Sequence, residues 1–125
     1  MKTILLVDDS PTVLMSMEAI LKKLAFATLT ASSAESALSM LTGGAKPNLI
    51  ITDLHMGAMD GIELIRRVRK IAALRFVPIL MLTTESQAAK RAEAKAAGAS
   101  GWLVKPVDAT ALLQVLGQLL PGGAV

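Results

Sequence analysis

The chain has 125 residues, which suits a single domain that buries about two-thirds of its unfolded surface. Hydrophobic residues make up 53% of it, but they occur in short runs, and none approaches the roughly 18 apolar residues of a membrane span. The lack of cysteine excludes disulfides and thiolate metal sites, and the net charge of +3 is a mild excess.

A cluster of basic residues lies at Arg66, Arg67, Arg69 and Lys70. Such clusters can bind nucleic acid, but this chain has one tryptophan, two phenylalanines and no tyrosine to stack on bases. We therefore interpret the cluster as a solvated helix face and expect neither a nucleic acid nor a membrane as a partner. Because residues 1–3 lead into a strand without a signal-peptide pattern, we expect a cytoplasmic location.

The first predicted strand, residues 3–7, is a continuous apolar run, as expected of a strand buried on both faces. Ser10 and Pro11 predict a helix that begins with a side-chain N-cap and a proline at its first position. Apolar residues at helical spacing give this helix a core-facing stripe: Val13, Met17, Ile20, Leu21 and Leu24. Leu14 and Met15 fall outside that stripe.

A second strand is predicted for residues 26–30, followed by a helix that runs to about Leu41. Ser32 and Glu35 have the spacing of a capping box at the start of that helix. Residues 43–47 contain two glycines and a proline, so they predict a turn into the next strand.

The third strand, residues 49–52, contains residues that favour a buried strand and ends abruptly at the carboxylate of Asp53. After a loop, Asp60 and Glu63 predict a second capping box. The helix that follows is expected to direct three apolar residues into the core: Ile62, Ile65 and Val68.

The last two strands are predicted for residues 78–82 and 101–104. Between them an alanine-rich helix covers about 87–97, and Gly98 is well placed as the residue just after its end. Asp108 is expected to cap a final helix. The predicted inward residues of that helix are Leu112, Val115, Leu116 and Leu119.

Strands alternate with helices five times, which predicts an α/β fold with a five-stranded parallel sheet, doubly wound into three αβα layers. The linkers are too short for a second domain. We therefore predict one domain over residues 1–121 and a short glycine-rich tail at 122–125.

Polar side chains collect where four of the predicted strands end: Asp8, Asp9, Asp53, Thr83, Thr84 and Lys105. Parallel strands end at one edge of their sheet, so these distant residues are expected to meet there. Carboxylates brought together repel by roughly 4 kcal/mol per pair at 4 Å and an effective dielectric constant near 20. Mg²⁺, a hard cation that prefers oxygen ligands, would compensate for this repulsion, and Lys105 adds a positive charge.

Such a site suits phosphoryl transfer, which needs an in-line nucleophile, a metal, and cationic or hydroxyl donors for the transferred oxygens. Asp53 is the central candidate because a carboxylate can serve as the nucleophile and form an acyl phosphate. Taken singly, each residue also has an ordinary role at a helix end or on the surface. Their shared placement at one edge is what indicates a functional site.

The motifs around these residues resemble those of receiver domains of two-component response regulators, specifically the single-domain chemotaxis type called CheY-like. They are Val-Asp-Asp-Ser at 7–10, Ile-Thr-Asp at 51–53, Met-Asp-Gly at 59–61, Leu-Thr-Thr-Glu at 82–85 and Leu-Val-Lys-Pro at 103–106. The resemblance covers essentially the whole chain and implies a flavodoxin-like fold. It also implies that Asp53 accepts a phosphoryl group from a phosphohistidine on a sensor kinase.

The resemblance implies the metal ligands as well. Asp9, Asp53 and the backbone carbonyl of His55 would bind Mg²⁺ directly, and Asp8 would act through water. The chain departs from many family members at Gly57, where they have proline. We expect that loop to be looser, although every implied ligand is kept.

The resemblance implies that Thr83 and the backbone N–H of Thr84 hold the phosphoryl oxygens. Lys105 would pair first with Asp53 and then with the phosphoryl group. A cis peptide bond is implied between Lys105 and Pro106.

The family also has a switch, in which the Thr83 position moves toward the phosphate and an aromatic residue on the last strand swings inward. Here that aromatic residue is Trp102, and we hypothesise that Trp102, Val107 and the alanine-rich helix form the output surface. His55 and Glu85 match positions that tune dephosphorylation in the family.

Leu14 and Met15 lie early on the first helix, beside the acidic pair. With Pro106, we predict that they contact the helical bundle that carries the donor histidine, in a histidine kinase or a phosphotransfer domain. No DNA-binding motif follows residue 121, so we expect output through a separate protein, such as a flagellar motor switch. A phosphate sink and a receiver excised from a longer regulator are the alternatives.

Two functions of other classes stay open. A Mg²⁺-dependent phosphohydrolase with an aspartyl nucleophile typically has Asp-x-Asp after the first strand, whereas this chain has adjacent Asp8 and Asp9. A flavodoxin-like cofactor binder needs a phosphate loop there, and two carboxylates would repel the phosphate. We expect a switch module rather than a turnover enzyme.

Overall fold

Five parallel strands form one sheet in the computed structural model, which describes residues 1–120. The strands are β1 (Thr3–Val7), β2 (Ala27–Ala31), β3 (Leu49–Thr52), β4 (Ile79–Thr83) and β5 (Gly101–Val104). The helices are α1 (Pro11–Lys23), α2 (Ala34–Thr42), α3 (Gly61–Val68), α4 (Ala88–Ala97) and α5 (Ala109–Leu119), and a 3-10 turn at Ala72–Leu74 precedes β4. The strand order is β2-β1-β3-β4-β5, which confirms the predicted doubly wound α/β fold.

The sheet has a separate buried cluster on each face. Residues of α2, α3 and α4 pack on one face, and residues of α1 and α5 pack on the other. The inward residues predicted for α3 are fully buried, and so are Leu112 and Leu116 of α5, while Val115 and Leu119 are partly buried. Strands covered on both sides need apolar residues throughout, which explains the continuous apolar runs of β1, β3 and β4.

Side chains cap the helices largely as predicted. Three predicted N-caps each accept a hydrogen bond from the backbone N–H three residues on: Ser10, Asp60 and Asp108. The prediction for α2 is wrong by one residue, because Ser33 and not Ser32 caps it, accepting from the Ser36 N–H at 3.0 Å. Glu35 therefore lies at the second helical position, one residue too early for a capping box.

Two strands are also shifted by one residue at both ends from their predicted ranges. β2 begins at Ala27 rather than Phe26, although Phe26 is still buried in the core. β4 begins at Ile79 rather than Pro78, since proline has no N–H to donate to a neighbouring strand. The predicted tail at 122–125 lies outside the described residues.

Leu14 differs from its predicted position outside the core stripe. It is partly buried and packs against the α1–α5 cluster, because it lies three and seven residues before Met17 and Leu21, on the same helix face. Met15 is 71% exposed, in line with the prediction. None of the helices described is both long and apolar enough to cross a bilayer.

Candidate functional site

Three carboxylates meet at the carboxyl edge of the sheet. β1 and β3 are adjacent strands, so Asp8 and Asp9, which follow β1, lie beside Asp53, which follows β3. The backbone N–H of Asp53 donates to the carbonyl of Val7 at 2.9 Å and extends the pairing of the two strands by one residue. One carboxylate oxygen from each aspartate lies within 4.8 Å of the other two. The predicted convergence is therefore present in the structure.

Backbone groups hold two of these carboxylates in place. Oδ1 of Asp8 accepts from the Ser10 N–H at 2.9 Å, and Oδ1 of Asp53 accepts from the Leu54 N–H at 2.7 Å. Asp8 is buried, Asp53 is partly exposed and Asp9 is exposed. In Asp8 and Asp53 one oxygen is thus fixed by the main chain, while the second oxygen contacts the ammonium of Lys105.

Lys105 bridges the two fixed carboxylates from the end of β5. Its Nζ lies 2.6 Å from Oδ2 of Asp8 and 3.4 Å from Oδ2 of Asp53. Burial alone would lower the pKa of Lys105, but the hydrogen bond to Asp8 and the charges of both carboxylates outweigh it, so its pKa is raised. The resemblance implied pairing with Asp53, whereas the closer contact is with Asp8. The peptide bond between Lys105 and Pro106 is cis, as the resemblance implied.

The donor set suits Mg²⁺, since all three side chains offer carboxylate oxygen to a hard cation. Opposite ligands in an octahedral Mg²⁺ shell lie about 4.2 Å apart, which is twice a metal–oxygen distance of about 2.1 Å. Oxygens within 4.8 Å of one another meet that span after a small shift, or when one of them binds through water. Asp8, Asp9 and Asp53 are therefore the residues whose side chains could hold the ion.

Thr83 and Thr84 lie at the end of β4, next to the acidic residues. Thr83 is fully buried, and its hydroxyl oxygen accepts from the Glu85 N–H at 3.2 Å, which leaves the hydroxyl proton for another acceptor. The Thr83 carbonyl accepts from the Lys105 N–H at 2.8 Å and ties the ends of β4 and β5 together. Thr84 is exposed.

His55 and Glu85, on the loops that follow β3 and β4, contact each other, and the sequence did not predict this contact. Nε2 of His55 lies 3.1 Å from Oε1 of Glu85, and the Gln87 N–H donates to the second carboxylate oxygen at 3.2 Å. Hydrogen bonds from the Gln87 backbone and from His55 lower the pKa of Glu85. The sequence contains a signal for this contact. β3 and β4 are adjacent, and His55 and Glu85 each lie two positions after the polar residue at the end of one of these strands, Asp53 and Thr83.

Trp102 lies on β5, half-buried against the cluster beneath α4. It lines a cavity of about 460 Å³ together with residues of α4 such as Ala88, Arg91 and Lys95. The cavity joins Trp102 to the alanine-rich helix, as the hypothesis of an output surface requires. Val107, the third member of that surface, does not line the cavity and packs against the cluster of α1 and α5 on the other face of the sheet.

The predicted docking residues do not all lie together. Pro106 is exposed and lines a mainly apolar groove of about 400 Å³ between α1 and the segment after β5. The α1 residues on that groove are Thr12, Val13, Ser16, Met17 and Ile20. Leu14 and Met15 do not line it. The sequence did not single out these α1 residues as a docking surface. Their spacing of three and four residues places them on one helix face, and that spacing was the signal in the sequence.

Three of the four residues of the basic cluster, which spans the end of α3 and the two residues after it, bind other groups of the chain. Arg69 is half-buried and donates to four backbone carbonyls, those of Leu74, Arg75, Val77 and Gly98. Its burial lowers its pKa. The side chains of Arg66 and Arg67 form ion pairs with glutamates, so the interpretation as a solvated face holds for them but is wrong for Arg69.

Comparisons with known proteins agree with this geometry. Residues 4–117 match the family model of the response regulator receiver domain. The chain is 32% identical to protein PilH of Pseudomonas aeruginosa, over 98% of this chain and 100% of that protein. It is 38% identical to the chemotaxis protein CheY of the same organism, over 87% of this chain and 88% of that protein.

Solved structures of chemotaxis and receiver proteins also match this chain. Chemotaxis protein CheY4 of Vibrio cholerae matches with a TM-score of 0.91 and 38% identity, over 96% of this chain and 99% of that chain. The receiver domain of a Pseudomonas aeruginosa sensor histidine kinase, which has a magnesium ion coordinated in its active site cleft, matches with a TM-score of 0.86. That match has 26% identity and covers 94% of this chain and 96% of the other.

Proposed function

The chain belongs to the family of response regulator receiver domains, and we propose that Asp53 accepts a phosphoryl group from a phosphohistidine on a sensor kinase. The observation that carries this proposal is the approach of three carboxylates to within 4.8 Å beside the Lys105 ammonium. Oδ1 of Asp53 is held by the Leu54 N–H, so Oδ2 is the oxygen available for attack. The Asp53 oxygen–phosphorus bond forms, the phosphorus–nitrogen bond of the donor breaks, and the electron pair leaves with the imidazole.

A bound Mg²⁺ would neutralise charge on the carboxylates and on the transferred oxygens. Asp8, Asp9, Asp53 and the His55 carbonyl are the proposed ligands. All four offer oxygen, and the spacing of the three carboxylates supports the aspartates. The Mg²⁺-bound receiver domain among the matched structures supports a Mg²⁺ site in this chain.

Three further groups are proposed to hold the phosphoryl oxygens. They are the hydroxyl of Thr83, the backbone N–H of Thr84 and the ammonium of Lys105. Lys105 already lies 3.4 Å from Oδ2 of Asp53, so it reaches oxygens attached there without a large movement. The free hydroxyl proton of Thr83 supports its role as a donor.

Thr83 and Trp102 are proposed to relay phosphorylation to an output surface made of Trp102, Val107 and α4. A phosphoryl group adds roughly two negative charges. It shifts the equilibrium between two conformations only if it binds them differently. Movement of Thr83 toward the phosphoryl group would supply that difference, and the cavity beside Trp102 leaves room for the indole ring to change position.

His55 and Glu85 are proposed to set the lifetime of the acyl phosphate. Their contact joins the loops that follow β3 and β4, two residues beyond Asp53 and Thr83, so we expect it to affect the access of water to the phosphorus atom. Leu14, Met15 and Pro106 are proposed to dock the donor, with Met15 and Pro106 offering the exposed surface. Replacing Met15 with serine should slow transfer from the cognate kinase but not from acetyl phosphate. If the variant and the wild type accept phosphate from the kinase at the same rate, Met15 is not part of the docking surface.

We propose that the chain acts as a switch and not as a turnover enzyme. Its histidine kinase or phosphotransfer donor and its output protein would be separate cytoplasmic partners. The chemotaxis names of its relatives favour a chemotaxis system, in which a flagellar motor switch is a candidate target. A phosphate-sink receiver would share the chemistry at Asp53 but would return the signal to the kinase.

Acetyl phosphate with Mg²⁺, followed by intact mass measurement, tests the proposal. A single labile phosphoryl adduct is expected on the wild-type protein and not on an Asp53→Asn variant, which keeps the size of the side chain but lacks the nucleophilic carboxylate. Removal of Mg²⁺ by a chelator should abolish the adduct. An adduct that survives in Asp53→Asn, or multiple turnover of a small phosphoester, would contradict the proposal.

A further inference from the structure

The two edges of the sheet carry opposite charge. The loops that follow the strands, at the carboxyl edge, contain one lysine, Lys105, and six acidic residues: Asp8, Asp9, Asp53, Asp60, Glu85 and Asp108. The segments that lead into the strands lie at the opposite edge, which we call the amino edge. They comprise residues 1–2, 24–26, 43–48, 69–78 and 98–100, and neither they nor the last turns of α1 to α4 contain an acidic residue.

Exposed cations are spread along the whole amino edge. Five of them are Lys23, Lys46, Lys70, Arg75 and Lys95, which precede β2, β3, β4 and β5. Within residues 1–120 their charged groups form no ion pair and no side-chain hydrogen bond. Because neighbouring strands lie about 4.8 Å apart, these charges extend over a width of roughly 20 Å.

Helix ends explain only part of this arrangement. The negative end of the helix dipole favours lysine in a last turn, which accounts for Lys23 and Lys95. Lys46 and Arg75 lie in loops beyond the helices, where that effect is weak. Next to Arg75, the ring of Phe76 is 88% exposed, and Met1 at the same edge is 93% exposed. Cations and large apolar side chains thus share one solvent-exposed surface.

We propose that the amino edge is a docking surface for an anionic lipid bilayer, which replaces the expectation, drawn from the sequence, that no membrane is a partner. A broad array of cations matches a two-dimensional layer of anionic headgroups, and each lysine or arginine near such a layer adds about fivefold to the affinity. Phe76 suits insertion at the headgroup boundary, where aromatic side chains anchor peripheral proteins. A nucleic acid fits less well, because one exposed phenylalanine gives no continuous platform for bases.

The charge of the opposite edge determines how the bound domain would be oriented. The acidic loops around Asp53 would be repelled by anionic headgroups, so the amino edge faces the bilayer and the acidic site faces away. Strands of four or five residues separate the two edges by about 15 Å. This distance exceeds the Debye length at physiological salt, so headgroups at the amino edge are largely screened from the acidic loops. Docking at the amino edge does not depend on phosphorylation of Asp53.

Sedimentation of the full chain with vesicles tests this inference. Vesicles of phosphatidylcholine alone are compared with vesicles of equal parts phosphatidylcholine and phosphatidylglycerol, each at low and at high salt. We expect binding to the anionic vesicles that weakens as salt increases, and little binding to the neutral ones. The Phe76→Ser variant should bind the anionic vesicles more weakly than the wild type.

Three double variants with equal loss of charge identify the surface. Lys70→Ala with Arg75→Ala, and Lys23→Ala with Lys46→Ala, should each weaken binding about 30-fold, from about fivefold per cation. The matched control is Lys90→Ala with Arg91→Ala, on the early turns of α4 outside the amino edge, which should change it less than threefold. Unfolding curves check that all variants fold.

Three results would overturn the inference. One is equal binding to both kinds of vesicle, and another is an equal loss of binding in all three double variants, which would indicate net charge alone. The third is binding to polyglutamate or to DNA without binding to anionic vesicles, which would assign the edge to a protein or a nucleic acid. Each of these outcomes leaves the acetyl phosphate test of Asp53 unaffected.

Discussion

Replacing Lys105 with methionine tests the electrostatic account of the site most directly. The change removes the ammonium that lies 2.6 Å from Asp8 and 3.4 Å from Asp53 but keeps most of the unbranched side chain. Removing one partner of a buried ion pair costs about 3–5 kcal/mol. Because the Lys105 side chain keeps 17% of its exposure, we expect the lower end of that range, about 3 kcal/mol, in the free energy of unfolding without Mg²⁺.

Mg²⁺ should reverse most of that loss, because a cation among the carboxylates replaces the missing charge. A ligand at 100 times its dissociation constant stabilises a folded protein by about 2.7 kcal/mol. Without the competing ammonium, the variant should bind Mg²⁺ more tightly than the wild type and gain more stability at the same concentration. Urea unfolding with and without Mg²⁺ measures both quantities.

Lys95→Met is the matched control, since Lys95 is exposed and forms no ion pair within the described part of the chain. Its free energy of unfolding should stay within about 0.5 kcal/mol of the wild type. If Lys105→Met is as stable as the wild type without Mg²⁺, or if Mg²⁺ stabilises both proteins equally, the proposed coupling between Lys105 and the carboxylates is wrong.

Three further predictions concern other parts of the molecule. His55→Ala and Glu85→Gln should change the decay rate of the acyl phosphate, because both alter the contact between these two side chains, while Mg²⁺ affinity measured by titration stays nearly the same. Unchanged decay in both variants would refute the role. Trp102 fluorescence should change when beryllofluoride and Mg²⁺ are added and should change much less in Thr83→Ala, whereas a flat wild-type signal would exclude Trp102 as the switch. Ala25→Gly should raise the free energy of unfolding by about 1 kcal/mol, because Ala25 has a left-handed φ of 68° after α1, and a lower midpoint in urea would contradict this.

The fold was largely predictable because its strands are buried on both faces. Residues 3–7 and 49–52 are apolar throughout, and side-chain caps at Ser10, Asp60 and Asp108 mark helix starts that local hydrogen bonding decides. The errors are local ones. Ser32 and Ser33 are adjacent and chemically identical, so only the backbone conformation at Ser33 identifies it as the cap of α2.

The convergence of the acidic residues was also predictable, because all strands of a parallel sheet end at one edge. The contacts within the site were not. The spacing of residues along the chain does not state that β1 lies between β2 and β3, or that Lys105 approaches Asp8 more closely than Asp53. Those distances depend on strand order and register, which are set by packing between distant segments.

Short-range physics in the sequence thus determined the order of strands and helices, most helix caps, and the kinds of group that the carboxyl edge would present. The tertiary structure alone decided which of those groups are in contact, such as His55 with Glu85. It also decided which charged side chains are buried, paired or exposed. It placed Arg69 against backbone carbonyls and left Lys46 and Arg75 exposed at the opposite edge. The physical reason is that a side chain's partners come from segments far away in the chain, so the burial and pairing of a charge are properties of the folded surface and not of its neighbours in sequence.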